Sequence, residues 1–169
     1  MLAVAIEIDD IKKFLTPFGF GKKTGVDIFN ESDGLLPSLE WRRARGETWY
    51  PGETVVTGIG QGPILATPLQ LASAVSALAN HGVRMKPQLV RAVVDAKTQA
   101  TLETPSEAYA QIPLKDKRHL EIQIQNLTDV VHTNKGTAYG IGYNAPYKIA
   151  GKTGTAQERG IAQAQSYSE

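Results

Sequence analysis

The sequence contains no cysteine and carries almost no net charge. The absence of cysteine among 169 residues excludes disulfide bonds and thiolate metal sites. It leaves the redox compartment open, because an exported protein can also lack cysteine. The formal net charge is +1, and there is no basic arm or run of Lys and Arg. Nothing in the charge therefore points to nucleic acid as a partner.

Long hydrophobic runs are also missing. The apolar stretch near the N-terminus, Leu2 to Ile6, is followed at once by Glu7, Asp9 and Asp10. A signal peptide needs a longer apolar segment after a basic start, and a membrane-spanning helix needs about 20 apolar residues. The sequence therefore predicts a soluble globular chain. With 41% hydrophobic residues it is long enough for one domain with a sizeable core.

Three segments have the apolar spacing of amphipathic helices. The first covers residues 2–15, with acidic residues at its start and Lys12 and Lys13 near its end. The second begins at Thr67-Pro68-Leu69-Gln70, where Thr67 and Gln70 can form a capping box, and ends at Asn80-His81-Gly82. Its predicted buried face consists of Leu71, Ala74, Val75 and Leu78. The third runs from Asp116 to Val131.

The remaining segments predict strands and loops. Residues 21–62, rich in Gly and Pro, are predicted to be irregular, and residues 88–94 and 99–103 are predicted to form a hairpin. A glycine-rich loop, Lys135 to Asn144, leads to a predicted short strand at Tyr147 to Ala150. The tail from Gln157 to Glu169 is polar and without a strong period. Because strands and helices do not alternate regularly, the pattern favours an α+β fold with an antiparallel sheet packed against helices.

The tripeptide Lys-Thr-Gly occurs twice and is the main candidate for a site. The second copy, Lys152-Thr153-Gly154, follows the predicted strand and is followed by Thr155. A fixed ammonium beside hydroxyl groups suits a carboxylate ligand, and Gly154 would let a substrate backbone approach closely. The first copy, Lys23-Thr24-Gly25, lies in the glycine-rich stretch, and we interpret it as a structural turn.

Other candidates are better explained by structure than by binding. The glycines of Gly60-Gln61-Gly62 favour a tight backbone crossing over a pocket. The aromatic residues Trp41, Trp49 and Tyr50 could form a sugar-binding surface, but packing of the long loop is the simpler interpretation. His81, His119 and His132 lack metal-ligand spacing, so we predict no metal and no other cofactor.

Several longer segments resemble the transpeptidase domain of the penicillin-binding protein 2 family, the class B penicillin-binding proteins of cell elongation. They run in the family's order from residue 18 to residue 157. These segments are Phe18-Gly19-Phe20-Gly21 through Thr24-Gly25-Val26-Asp27, Trp49-Tyr50-Pro51-Gly52-Glu53, Gly58-Ile59-Gly60-Gln61-Gly62, Ala66-Thr67-Pro68-Leu69-Gln70, Val130-Val131-His132 with Gly136-Thr137-Ala138, and Ala145 through Gln157.

The resemblance implies a fold and a reaction. The fold would be that of penicillin-binding proteins and serine β-lactamases, in which Lys-Thr-Gly is one of three motifs around a nucleophilic serine. The enzyme would join peptidoglycan stem peptides at a D-Ala-D-Ala terminus, and β-lactams would acylate the same serine. Lys152 would support proton transfer, Thr153 and Thr155 would hold the ligand carboxylate, and backbone near Thr155 would complete the oxyanion hole.

The serine that this chemistry needs is not among the seven in the chain. None is followed three residues later by Lys, and none is followed two residues later by Asn or Asp. The resemblance therefore implies a partial transpeptidase domain, residues 1–169. It would begin after the Ser-x-Asn motif, near Leu2-Ala3-Val4, and end shortly after the Lys-Thr-Gly strand. We expect such a chain to be inactive alone, and to self-associate through uncovered sheet edges and apolar surface.

The resemblance also implies partners and a location. The partners would be the peptidoglycan stem peptide and β-lactams, together with elongation-complex proteins for the whole protein. That protein would lie in the bacterial inner membrane with its catalytic domain in the periplasm. Two alternatives remain open from the residues: a binding module that holds peptidoglycan or β-lactam without a covalent bond, and a serine β-lactamase or β-lactam sensor of the same fold.

Overall fold

The computed structural model describes residues 5–156, which fall into two units on either side of the Leu120–Glu121 boundary. The predicted helix start at residues 2–4 and the polar tail from Gln157 to Glu169 lie outside the described residues. The helices are α1 (Ile8–Leu15), α2 (Leu39–Ala44), α3 (Pro51–Gly58), α4 (Pro68–Ala79), α5 (Arg118–His132) and α6 (Tyr139–Gly142). The strands are β1 (Val83–Met85), β2 (Ala92–Val94), β3 (Thr101–Glu103) and β4 (Ala108–Gln111).

The first unit contains two antiparallel strand pairs. Strand β1 pairs with β4, and β2 pairs with β3 in the predicted hairpin. Small antiparallel sheets packed with helices confirm the predicted α+β class. The core consists of Phe18, Ala74, Ala77 and Ile112, with Phe20, Leu78 and Leu114 packed against it. The core thus joins helix α4 to the turn after α1 and to the end of β4.

Helix α4 starts as predicted, but its buried face is shifted. Thr67 Oγ1 accepts a hydrogen bond from Gln70 N, and Gln70 Oε1 accepts one from Thr67 N, which confirms the capping box. The predicted buried residues Leu71 and Val75 are instead 51% and 60% exposed. The buried stripe runs through Gln70, Ala74 and Ala77. A glutamine can occupy the inner face because its amide oxygen and nitrogen are hydrogen-bonded. These bonds offset the free-energy cost of removing a polar group from water.

The predicted irregular stretch, residues 21–62, contains two short helices that the composition concealed. Ser38 caps α2 by accepting a hydrogen bond from Trp41 N at 3.1 Å. Pro51 occupies the first turn of α3, and the Glu53 carboxylate accepts a hydrogen bond from Tyr50 N at 2.9 Å. The prediction of a long irregular stretch was therefore wrong, because local caps outweigh a high content of glycine and proline.

Two sets of hydrogen bonds join the long stretch to the chain around the start of α4. Leu35 and Leu65 exchange backbone hydrogen bonds of 2.8 and 2.9 Å. Gln70 Nε2 donates to the carbonyl oxygens of Lys22 and Asp33, each at 2.8 Å. Gly34 fits beside this junction because it has no side chain, and a Cβ there would lie 2.4 Å from Leu65 O. One buried amide thus ties two points in the first part of the stretch to helix α4.

The second unit contains most of α5, the short helix α6 and the chain that follows. The third predicted helix is confirmed as α5, with Val131 buried on its inner face. The predicted loop from Lys135 to Asn144 includes α6. The predicted strand from Tyr147 to Ala150 is not formed, because no strand among residues 5–156 pairs with it. This segment is held by isolated hydrogen bonds instead.

Candidate functional site

The C-terminal end of α5 organises the turn that follows it. Ala138 N donates to Val130 O at 3.1 Å, so the Gly136–Ala138 turn folds back onto the helix. Gly136 is required at this approach, because a Cβ there would lie 2.1 Å from Val130 O. A similar close approach places Gly142 of α6 against Val131 O. The turn is therefore set by backbone contact with the last turns of α5.

The same end of α5 holds the segment that leads into the second Lys-Thr-Gly copy. Ile149 N donates to His132 Nε2 at 2.8 Å, and Gly151 N donates to Leu127 O at 3.0 Å. Because these amides are two residues apart, both point to the same side of an extended chain. The end of α5 thus accepts the hydrogen bonds that a neighbouring strand would otherwise accept from residues 149–151.

The predicted site residues Lys152, Thr153, Gly154 and Thr155 are all exposed. Lys152 Nζ donates to Thr153 O at 2.8 Å and lies 3.3 Å from Thr153 Oγ1. A Cβ built on Gly154 would meet no atom within 4 Å, so the backbone is open to an approaching molecule.

The structure adds one hydroxyl to this group. Thr137 Oγ1 lies 3.2 Å from Thr153 Oγ1, within hydrogen-bond distance. The Val130–His132 and Gly136–Ala138 segments contributed to the family resemblance, but no role in the site was predicted for Thr137 or His132. These contacts could not be predicted from the sequence, because each joins two distant residues across a turn of irregular geometry. Thr137 and Thr153 are 16 positions apart, and His132 and Ile149 are 17 positions apart.

An ammonium group and two hydroxyl groups therefore lie together beside an open glycine. Lysine offers three donors and no acceptor, and each threonine hydroxyl can donate one hydrogen bond. A carboxylate has acceptor sites only, and bonds to a charged donor are the strongest available to it. The arrangement is chemically suited to holding a carboxylate at the surface of the second unit.

The first Lys-Thr-Gly copy has a different environment. Thr24 is buried, and the backbone N–H groups of Thr24 and Gly25 donate to the two carboxylate oxygens of Glu31 at 2.6 and 3.1 Å. Burial alone would raise the pKa of Glu31, but hydrogen bonding from Thr24 and Gly25 outweighs it and lowers that pKa. Two backbone donors of this copy are therefore already occupied by the chain's own carboxylate.

Two of the three predicted aromatic residues, Trp41 and Trp49, pack against one arginine, whereas Tyr50 is 65% exposed. The Arg42 guanidinium lies 5.2 Å from the ring centre of Trp41 and 5.5 Å from that of Trp49. It also forms ion pairs with Glu47 and Glu53. These contacts support the interpretation that the tryptophans anchor the stretch.

The Gly60-Gln61-Gly62 segment follows the end of α3. Gln61 N donates to Val56 O at 3.1 Å, and both glycines have φ near +79°.

A cavity of about 410 Å³ lies in the first unit, and none of its lining residues belongs to either Lys-Thr-Gly copy. Its walls are formed by Asp9, Lys12, Lys13, Thr16, Pro17, Ser38 and Glu40. An exposed carboxylate-binding group needs hydrogen-bond donors more than it needs enclosure.

Among residues 5–156, no three His, Cys, Asp or Glu side chains are placed to hold a metal ion together. In the same residues, every helix is too short or too polar to cross a membrane.

Comparison with known proteins decides the family. The family description "Penicillin binding protein transpeptidase domain" matches residues 1–169. The chain belongs to this family. A curated relative, the peptidoglycan D,D-transpeptidase MrdA of Acinetobacter baumannii, is 42% identical over 171 residues, which is all of this chain and 25% of that protein. The chain therefore spans about a quarter of the length of this curated relative.

Solved structures of transpeptidases in this family have the same fold. The crystal structure of Pseudomonas aeruginosa PBP2 in complex with WCK 5153 is 41% identical, with a TM-score of 0.79 over 93% of this chain and 35% of that one. The complex between Helicobacter pylori PBP2 and MreC contains a chain that is 33% identical, with a TM-score of 0.75 over 92% of this chain and 27% of that one. These similarities confirm the predicted family and fold.

Proposed function

We propose that this chain supplies the carboxylate-binding part of a peptidoglycan D,D-transpeptidase that cross-links stem peptides during cell elongation. The observation that carries the proposal is the contact between Thr137 and Thr153 beside Lys152, within a family match over the whole chain. Lys152, Thr153, Gly154 and Thr155 would contact the C-terminal carboxylate of a D-Ala-D-Ala peptide or the acidic group of a β-lactam. The reaction class is acyl transfer through a serine.

The chain alone is proposed to be inactive toward β-lactams. None of its seven serines is followed by a lysine at the third position, so none has the base that this family uses. A serine hydroxyl without a neighbouring base is a weak nucleophile. Lys152 would support proton transfer only when the nucleophile is supplied by another part of the same protein.

We infer partners and a location for the whole protein from its relatives. The Helicobacter pylori PBP2 relative forms a complex with MreC, and the present chain is similar to that PBP2 over 92% of its length. This likeness supports an elongation-complex protein as a partner. The corresponding location is the bacterial inner membrane, with the transpeptidase domain in the periplasm.

Two incubations with penicillin test the proposed reaction. The chain alone should keep its mass by intact-mass spectrometry. A chimaera that carries this chain in place of the matching quarter of the Acinetobacter baumannii relative should gain the mass of one penicillin. Acylation of the chain alone would mean that one of its serines is a nucleophile outside the expected motif. A folded chimaera that is never acylated would contradict the proposed function.

We also propose that the isolated chain self-associates. Leu71 and Val75 are more than half exposed on one face of α4, and Val93 and Leu102 are exposed on the hairpin. Among the described residues, each of the two sheets has only two strands. The backbone groups at the sheet edges are therefore open to pairing with a strand of another copy. Sedimentation should show a mass that rises with concentration. A monomer that persists on concentration and unfolds cooperatively would contradict this proposal.

A further inference from the structure

His132 holds the chain that leads into Lys152 through an unusual acceptor. Its ring atom Nε2 accepts a hydrogen bond from the backbone N–H of Ile149 at 2.8 Å, in a partly buried position. Ile149 lies three residues before Lys152. A backbone N–H that is not paired in a sheet needs another acceptor when it is shielded from water. The imidazole supplies that acceptor.

This contact determines the form of the imidazole. A neutral histidine has one ring N–H and one ring nitrogen that accepts, whereas the charged form has two donors and no acceptor. Because Nε2 accepts from Ile149, the proton of the neutral ring must be on Nδ1. The hydrogen bond to Ile149 therefore exists only with the neutral ring.

Two further hydrogen bonds from the last six residues of α5 act together with this contact. Leu127 O accepts from Gly151 N at 3.0 Å, and Val130 O accepts from Ala138 N at 3.1 Å. The contact with His132 and the bond to Leu127 fix the segment before Lys152, and the bond to Val130 fixes the turn that carries Thr137. Together they bring the hydroxyl groups of Thr137 and Thr153 to 3.2 Å.

We propose that His132 is a positioning residue for the Lys152–Thr155 segment. Its neutral imidazole anchors Ile149 to the end of α5, so that Lys152 and Thr153 reach the place where Thr137 supplies a second hydroxyl. His132 itself does not touch the bound carboxylate. This inference rests on the proposed function for the use of the segment, but the anchor can be measured without any ligand.

The first test uses nuclear magnetic resonance on the ¹⁵N-labelled chain. A hydrogen bond from Ile149 N–H to His132 Nε2 joins two nitrogen atoms, so a through-bond ¹⁵N–¹⁵N coupling should be observed between them. The His132 nitrogen shifts should show that Nδ1 carries the proton. A chain that folds but shows no coupling, with the proton on Nε2, would overturn the proposal.

The second test compares substitutions that keep or remove the acceptor. We expect His132→Ala to raise the solvent exchange rate of the Ile149 amide about tenfold, the effect of losing one hydrogen bond. His132→Gln, whose side-chain oxygen can accept, should restore most of the protection. His119→Ala, an exposed residue of the same helix, is the control and should change nothing. Equal exchange in the Ala and Gln variants would assign His132 to packing only and would overturn the proposal.

The third test asks whether the anchor serves the site. In the chimaera described above, His132→Ala should slow penicillin acylation about tenfold or more, and His132→Gln should recover most of that loss. An anchor that is present but has no effect on acylation would overturn the positioning role and leave the proposed function intact. If Lys152→Ala also has no effect on acylation, it is the proposed function that fails.

Discussion

The same tripeptide occurs twice in this chain. The two copies differ in their exposure and in whether a carboxylate of the chain accepts hydrogen bonds from their backbone. In the first copy, Thr24 is buried and the N–H groups of Thr24 and Gly25 bind the Glu31 carboxylate. In the second copy, Lys152, Thr153 and Gly154 are exposed, and no carboxylate of the described residues is bonded to them. The first copy thus holds an acid of its own chain, whereas the second is open to an acid from outside.

The comparison shows that local sequence is not enough to assign a site. Lys-Thr-Gly favours contact with a carboxylate in both places, because lysine, hydroxyl and backbone donors are the same. The surrounding chain decides which carboxylate is bound. Glu31 follows the first copy within seven residues, while the second copy is placed against the end of α5 by contacts from Leu127 and His132.

The largest expected effect comes from removing the support of the first copy. Gln70→Ala should lower the free energy of unfolding by about 3 kcal/mol, because it leaves the carbonyl groups of Lys22 and Asp33 and the N–H group of Thr67 without their partner. Urea unfolding measures this change. Gln123→Ala, at an exposed position of α5, should change it by less than about 0.5 kcal/mol. A loss below about 1 kcal/mol for Gln70→Ala would contradict the account.

A smaller effect is expected from acid. The pKa of Glu31 lies below its ordinary value of 4.5, and that of Asp27 below 3.8, where bonds from the Leu89 and Val90 N–H groups lower it. The unfolded chain therefore binds more protons than the folded chain as the pH falls below about 4.5. Stability from these carboxylates should be complete above that pH and decline below it.

The variant Glu31→Gln tests this acid dependence. At neutral pH we expect it to lower the free energy of unfolding by about 1 kcal/mol, because the amide keeps only one acceptor oxygen for the two N–H groups. Its stability should also decline less steeply in acid than that of the unaltered chain. Urea unfolding at several pH values checks both points. Glu40→Gln, an exposed carboxylate, serves as the control. Parallel pH profiles for the chain and Glu31→Gln would contradict the assignment.

The smallest effect on stability is expected at the second copy. Thr153→Val removes an exposed hydrogen bond to Thr137 and should change the free energy of unfolding by less than about 0.5 kcal/mol. The amide signal of Thr137 should nevertheless shift, because its side chain loses a partner. A loss above about 1 kcal/mol would show that this copy is structural, like the first.

Much of the architecture could be predicted from patterns that act locally. The capping box of Thr67 and Gln70, the hairpin around Asp95 and the apolar repeat of α5 each depend on residues a few positions apart. The shifted face of α4 could not be predicted in this way. Gln70 is buried only because Lys22 and Asp33, 48 and 37 residues away, accept its hydrogen bonds.

The sequence predicted the residues of the proposed site but not the contacts that support them. The resemblance identified Lys152 through Thr155, and it included His132 and Thr137 without a role for either. The predicted strand at Tyr147 to Ala150 is absent because its neighbour could not be predicted from the sequence either. An apolar segment forms a strand only where a neighbouring strand presents backbone N–H and C=O groups for pairing. Here the neighbour is the end of a helix.

The most direct test of the central claim compares the two lysines in the chimaera with the Acinetobacter baumannii relative. Lys152→Ala should slow acylation by penicillin about 100-fold or more, since a group that supports proton transfer contributes at least that much. Lys23→Ala, the matched change in the other copy, should leave the rate unchanged. The rate of mass gain by penicillin measures both. Equal rates for the two variants, or a loss confined to Lys23→Ala, would contradict the assignment of the second copy as the carboxylate-binding site.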